Sequence, residues 1–434
     1  MVNAHQTAKG FHSTDAKFFI TYRMSTSLSS VRRNMPLSIK TLLTLLAFSL
    51  WTGTIEASHS ASHHAQPNKK HISAAKKTDK KFAQYKTAVL EALQKFREKA
   101  MQVWGESDTI VPDASINVTY RNNFKQRSIV NYEQGTVKVE LAIQPHKAKN
   151  AHLVKQELES ALEQAMFQGP DERSILDIAD NPTPPKNAKP PALAGLIANE
   201  DGTPLTPEQI NDFKYTYSRA MKTRAITGKD GKKRVIFSTQ FSLVPDHIKV
   251  RAEKFRDAVD LNSHTHGIPA PLVYAIIETE SFFNPTAKSP VPAFGLMQLV
   301  PESGARDAYK FLYSEDLVLN DTYLYDSNNN IELGVAYLHM LYFRYLKRIK
   351  NPQSRQWTMI AAYNTGVKNV IRSFVGKYSR AKYSSRWSWK LRALNQINKM
   401  DSEEVFKHLR HNLPYEETRS YIKKVRDRMG KYNT

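Results

Sequence analysis

From Asp246 to the C-terminus, every periodic apolar stretch has the spacing of a helix. Upstream the pattern is mixed. Ser115–Tyr120 alternates as a strand does, and Arg127–Tyr132 and Thr136–Leu141 flank Glu133-Gln134-Gly135, a hairpin signal. Lys222–Thr227 and Arg234–Leu243 read as two more strands around Gly228-Lys229-Asp230-Gly231. Helical stripes over Phe82–Trp104 and Leu153–Met166 accompany them. The Pro-rich run 181–191 fits no regular element and is expected as a stiff internal loop. This division predicts an α+β protein, with a mixed α/β N-terminal domain over 82–245, a boundary at Pro245 and an all-α domain over 246–434. In the helical half, helices are expected over 248–261, through the 270s, from Leu296, over 330–349 and 356–363, and over 405–413 and 415–428. Residues 309–325 read as irregular, and 378–389 as basic and aromatic.

The helix of the 270s carries the first chemical signal. Val273, Ile276, Ile277 and Glu280 fall at i, i+3, i+4 and i+7, so Glu280 lies on the apolar stripe of its own helix. Desolvation disfavours the charged form of a carboxyl, so its pKa should rise, and a carboxyl still protonated near neutral pH can serve as a general acid. Glu278 lies roughly 200° around the same helix and is expected to face elsewhere, with Glu278→Gln close to wild type. The alternative for Glu280 alone is a surface residue or a cap partner. Ser281-Phe282-Phe283-Asn284-Pro285 ends the helix abruptly. A second helical pattern starts at Ala293-Phe294-Gly295-Leu296-Met297-Gln298, where Gly295 marks a close backbone approach.

The run E-S-x-x-N-P from Glu280, S-P-V from Ser289 and A-x-G-L-M-Q from Ala293 resembles the catalytic segment of the soluble lytic transglycosylase domain of family 1 lytic transglycosylases. Ala361-Ala362-Tyr363-Asn364-Thr365-Gly366 is similar to that family's A-Y-N-x-G motif, and Glu417-Thr418-Arg419-Ser420-Tyr421 to its E-T-R-x-Y motif. W-G-x-S from Trp104 and R-S-x-x-N-Y-E-x-G-T from Arg127 resemble the N-terminal domain of the membrane-bound lytic murein transglycosylase C group. The resemblance implies a lysozyme-like fold for the helical domain and Glu280 as the one acid–base residue. It also implies cleavage of the bond between N-acetylmuramic acid and N-acetylglucosamine without water, leaving 1,6-anhydro ends. Ser281, Ser289, Gly295, Met297, Gln298, Tyr363, Asn364, Glu417 and Tyr421 are the substrate-binding residues it implies. Among these, Ser289 would bond the acetamido group and Tyr363 would offer its phenol to the glutamate and sugar. Glu417 would support Tyr363 or the substrate, or else form a buried ion pair. Phe283, Phe294, Trp387 and Trp389 are candidates for stacking on sugars, with core packing as the alternative. A goose-type lysozyme acting by hydrolysis and a non-catalytic wall-binding protein stay open beside this reading.

Composition bears on compartment and partners. The formal net charge of +22 suits a polyanionic partner, and no zinc-finger, RNP or helix-turn-helix signature points to nucleic acid. The partners the resemblance implies are peptidoglycan glycan strands and their peptide stems. Cell-wall synthesis or hydrolase proteins are candidate partners for the N-terminal domain. No cofactor and no metal are expected. The absence of cysteine removes disulfides, thiolate chemistry and the lipid-attachment cysteine of a lipoprotein. The segment 35–57, with a basic flank and an apolar core over Thr41–Trp51, reads as a secretory signal; a membrane anchor is the alternative. Residues 1–34 fit no part of a signal and suggest an over-extended start. Residues 58–81, with His59, His63, His64 and His71, are expected as a disordered basic tether. Together with a secretory signal, the resemblance implies the periplasm of a Gram-negative bacterium as the location, with outer-membrane association left open.

Overall fold

The computed structural model describes residues 69–185, 189–289, 292–375 and 386–433. The expected signal, the over-extended start, the tether up to residue 68 and Trp387's side chain lie outside the described residues. The first helix, α1 (Lys69–Trp104), starts well before the expected Phe82, so the segment 69–81 is helical rather than irregular. A meander follows: β1 (Ile116–Arg121), β2 (Gln126–Asn131) and β3 (Thr136–Ile143). Next come α2 (Ala151–Phe167), α3 (Ile175–Asp180) and α4 (Ile210–Arg219), then β4 (Lys222–Thr227) and β5 (Lys233–Ser242). The five strands form one antiparallel sheet in the order β1-β2-β3-β5-β4, so the last hairpin inserts β5 beside β3.

Strand alternation sends neighbours to opposite faces of this sheet. Val118, Tyr120, Ile129 and Ile236 pack with Val89, Phe96 and Trp104 of α1. Val130, Val137, Val139, Leu141, Phe237 and Phe241 face the other way, onto Leu158 and Leu162 of α2 and Phe213 of α4. Arg127 and Glu140 form a buried ion pair on adjacent strands, with the Arg127 guanidinium 3.6 Å above the Trp104 ring.

After the sheet the chain is helical, with two differences from expectation. The helix expected over 248–261 is two helices, α5 (His247–Glu253) and α6 (Arg256–His266), broken at Lys254-Phe255. Helix α7 (Ala270–Ser281) follows. The helix expected from Leu296 does not form. Phe294 instead makes bridges to Lys288 and Leu299, and the chain between is a tight loop. Helices α8 (Arg306–Tyr313) and α9 (Asp321–Tyr325) occupy part of the stretch read as irregular. The long helix is α10 (Ser327–His339), extended by a π-helical turn over Met340–Tyr345. Then come α11 (Pro352–Thr365), α12 (Val367–Ser373), α13 (Arg386–Ile397), α14 (Ser402–Asn412) and α15 (Glu416–Met429), which ends in a 3-10 turn, Gly430–Tyr432. Ile276, Ile277, Leu296, Ile331, Leu338, Ile360 and Ile422 share one core, to which α7 contributes its buried face. Among the described residues, no helix is long and apolar enough to cross a membrane.

Candidate active site

Helix α7 presents its two carboxylates to different surroundings. Glu280 is half-buried at the last turn. Burial pushes its carboxyl up to about 8, the Tyr421 hydroxyl pulls it down, and the charge of Glu417 raises it again. The direction is the one the apolar stripe predicts. Tyr421 is itself buried, and its hydroxyl forms no well-aligned hydrogen bond with any described group; its contact with Glu280 is polar but loose. Burial also raises the Tyr363 phenol well above its ordinary value, and Glu280 adds to that shift. The structure thus brings Glu280, Tyr363, Tyr421 and Glu417 together from α7, α11 and α15. Glu417 is distant in sequence yet close enough to act on Glu280 through its charge. It is exposed and is no member of a buried ion pair.

Glu278 faces away from this group, as its place on the helix requires, but it is not idle. It is 1% exposed and accepts from Lys431 Nζ and Tyr432 Oη, each at 2.7 Å, with Arg428 Nε at 3.1 Å. A buried carboxylate with three partners is a structural anchor, so the expectation that Glu278→Gln resembles wild type needs correction for stability.

The loop beyond α7 is shaped by backbone that side chains resist. Phe282 and Phe283 have φ of 49° and 60°, and Gln298 has 46°. Such left-handed residues cost energy and persist where the surroundings hold them. Gly295, at φ 77°, is required twice over: a Cβ there would lie 2.3 Å from the Leu324 carbonyl oxygen and 2.4 Å from Asn330 Nδ2. Ser281 is fully buried, its hydroxyl donating to the Leu296 carbonyl at 2.7 Å with the Ile277 carbonyl also within 3.1 Å, so it ties α7 to the loop and turns away from solvent. The Met297 side chain is equally buried, packed against Gly334, and only its main chain serves the site. Its N–H donates to Asn330 Oδ1 at 2.8 Å and its carbonyl accepts from Tyr363 Oη at 2.8 Å. The phenol expected to reach sugar and glutamate is therefore committed to the loop backbone. Gln298 is half-buried and donates to the Gly295 and Ala287 carbonyls. Asn364 accepts from Thr418 Oγ1 at 2.6 Å, joining α11 to α15. Ser289 is half-buried, its N–H bonded to the Ala293 carbonyl. Phe283 and Phe294 belong to the core, and Trp389 packs against it.

Asn330 is the residue that sequence reasoning missed. It is buried and also donates from Nδ2 to the carbonyls of Phe294 (2.9 Å) and Leu324 (2.8 Å), pinning the loop from below. Its signal was available: a polar side chain one turn before Leu333 and Gly334 on the buried face of α10. Among the described residues, no group of three or more His, Asp or Glu side chains could hold a metal ion.

Fold and site define a helical domain that follows an antiparallel sheet in the chain and carries a half-buried carboxyl of raised pKa. The family description "Transglycosylase SLT domain" matches residues 257–385, and "Membrane-bound lytic murein transglycosylase C, N-terminal domain" matches residues 80–254. The membrane-bound lytic murein transglycosylase C of Salmonella arizonae is 32% identical over 337 residues, 78% of this chain and 87% of that protein. Its counterpart in Klebsiella pneumoniae is 31% identical over 362 residues, 82% of this chain and 94% of that one. The 70 kDa soluble lytic transglycosylase of Escherichia coli aligns over 41% of this chain and 24% of its own, with 26% identity and a TM-score of 0.31. The chain belongs to the membrane-bound lytic murein transglycosylase C family.

Proposed function

We propose that this protein cleaves the β-1,4 bond between N-acetylmuramic acid and N-acetylglucosamine in peptidoglycan and leaves 1,6-anhydro ends. The observation that carries the reading is the state of Glu280: a half-buried carboxyl held up to about 8 is protonated at neutral pH. It gives that proton to the glycosidic oxygen as the bond to C1 breaks. The substrate's 2-acetamido group assists at C1. The Glu280 carboxylate then takes the proton from the C6 hydroxyl as that oxygen attacks C1, so the proton balance closes with no water consumed. Attack by a group already attached to the reacting sugar has the advantage of intramolecularity. Glycosidases that use water pair the acid with a second carboxylate. Glu417 is the candidate for that second group, but it is exposed and lacks the apolar, helix-end setting of Glu280.

The remaining residues divide by what they touch. Tyr421 and Glu417 tune Glu280 directly. Tyr363, Ser281, Gly295, Met297, Gln298 and Asn364 set the loop and helices around it, and Ser289 lies on the loop's outer arm, where the acetamido group would be received. The substrate class fits a basic protein acting on a carboxylate-rich polymer. We place the protein in the periplasm, with the N-terminal domain as a binding module for peptide stems or partner proteins.

Digestion of sacculi in heavy-oxygen water tests the chemistry. Anhydro products without label are expected, lighter by one water than hydrolytic products. Labelled reducing ends as the main product would make the enzyme a hydrolase.

A further inference from the structure

The end of α7 is held from the other half of the protein. Phe282, two residues past Glu280, caps the helix in the left-handed conformation, its N–H bonded to the Glu278 carbonyl. Its side chain belongs to the sheet's core cluster, with Val130, Tyr132 and Val137 among the members, while the Arg428 guanidinium of α15 lies 4.8 Å from its ring. Arg251 of α5 closes the junction. It is 3% exposed, its Nε donates to the Phe282 carbonyl at 3.1 Å, and its Nη2 donates to the Tyr132 carbonyl at 2.7 Å. Its guanidinium also lies 4.8 Å from the Tyr132 ring. A cation at that point meets the negative end of the α7 dipole and satisfies a carbonyl the helix leaves unpaired.

We infer that Arg251 and Phe282 are positioning residues, through which the N-terminal sheet fixes the terminal turn of α7 and hence the place of Glu280 in the cleft. The inference rests on Glu280 as the acid. Two successive left-handed aromatic residues, Phe282 and Phe283, do not hold that shape unaided. The sheet supplies one support through Phe282 and Arg251. The helical half supplies the other, through Phe283 stacked on Phe255. Loss of the first support lets the last turn of α7 shift and lets more water reach half-buried Glu280, whose other neighbours are Tyr421 and Glu417 of α15 and Tyr363 of α11. Arg251 itself feels Tyr132, Tyr432 and Glu278.

The test compares Arg251→Met and Phe282→Ala with wild type on soluble glycan strands, following kcat, KM and the pH–rate profile, with Glu280→Gln alongside. Both variants should keep KM within about twofold and lose roughly ten- to a hundredfold in kcat, the cost expected of a misplaced acid. Their basic limb should move to lower pH, which a merely less stable enzyme would not show. Arg251→Lys should restore part of the loss. Unchanged kcat and an unmoved limb in folded variants would overturn the inference, as would losses that only follow the folded fraction in urea. If either variant fails to fold, Arg251→Lys and Phe282→Leu carry the same test at smaller amplitude, and an unmoved limb in both overturns it. An active Glu280→Gln enzyme would refute the assignment of the acid itself, which separates that failure from failure of the clamp.

Discussion

Replacing Glu280 by Gln should make the protein more stable while it destroys activity. Burial raises the carboxyl from an ordinary value of 4.5 to about 8, so folding must take a group that is ionised in the unfolded chain and hold it neutral. The sign follows from proton binding. Between those two values the folded state binds more protons than the unfolded state, so this site makes stability fall as pH rises through that window. Below it the group is protonated in both states and costs nothing; above it both states are ionised and the cost is constant. At pH 7 the shift amounts to about 3 kcal/mol, at 1.36 kcal/mol per unit. Glu280 keeps part of its surface exposed, and solvent relaxation there trims the figure to about 2 kcal/mol. Gln keeps the shape and has no charge to desolvate. Urea unfolding of wild type and Glu280→Gln at several pH values measures the difference, given an unchanged m-value. The variant should be the more stable by about 2 kcal/mol at pH 7, and the gap should close near pH 4. A gap that stays constant with pH, or a variant less stable than wild type at pH 8, would refute the raised pKa and with it the argument for an acid protonated at neutral pH.

Glu278→Gln should behave in the opposite way. Arg428 loses a charged partner in a mostly buried place, while half-exposed Lys431 can turn to water, so the midpoint in urea should fall by about 2–3 kcal/mol, with activity per folded molecule retained. Tyr421→Phe and Glu417→Gln should shift the basic limb of the pH–rate profile in opposite directions: the first removes an interaction that lowers the Glu280 pKa, the second a charge that raises it. Gly295→Ala should cost about 3 kcal/mol, from left-handed strain and overlap with the Leu324 carbonyl, read from thermal unfolding; a neutral substitution there would mean that the loop has room to move.

The setting of Glu280 was legible in the sequence because the residue sits on a regular element. Helical spacing alone put Glu280 on a buried stripe, and strand alternation alone found all five strands. The tight loop was misread as a helix because Leu296 and Met297 carry helical periodicity, while left-handed Gly295 and Gln298 and the bridge from Phe294 to Leu299 decide the conformation. Periodicity counts apolar positions and is blind to a backbone fixed by distant groups such as Asn330. The same limit explains Ser281 and Met297. Their place in a motif suggested contact with substrate, but the side chains turn inward, and only tertiary packing tells which way a loop residue points. Glu278 and Arg251 depend on partners more than a hundred residues away, Lys431 and Tyr132, which no local pattern could reveal.

The loop over Phe294–Leu299 has its polar backbone taken up by the protein: Ser281 and Tyr363 hold its carbonyls, and Asn330 holds both an N–H and a carbonyl. A loop fixed in this way has little conformational entropy left to lose when a glycan strand binds beside it. Nor can it follow the sugar as the ring flattens toward an oxocarbenium-like geometry. The distortion must then fall on the polymer, and the energy for it must come from saccharide units and peptide stems bound away from the bond that breaks. An enzyme built so should distinguish long strands from short fragments chiefly in turnover, since a short fragment can occupy the acid's side of the cleft without the remote contacts that bend it.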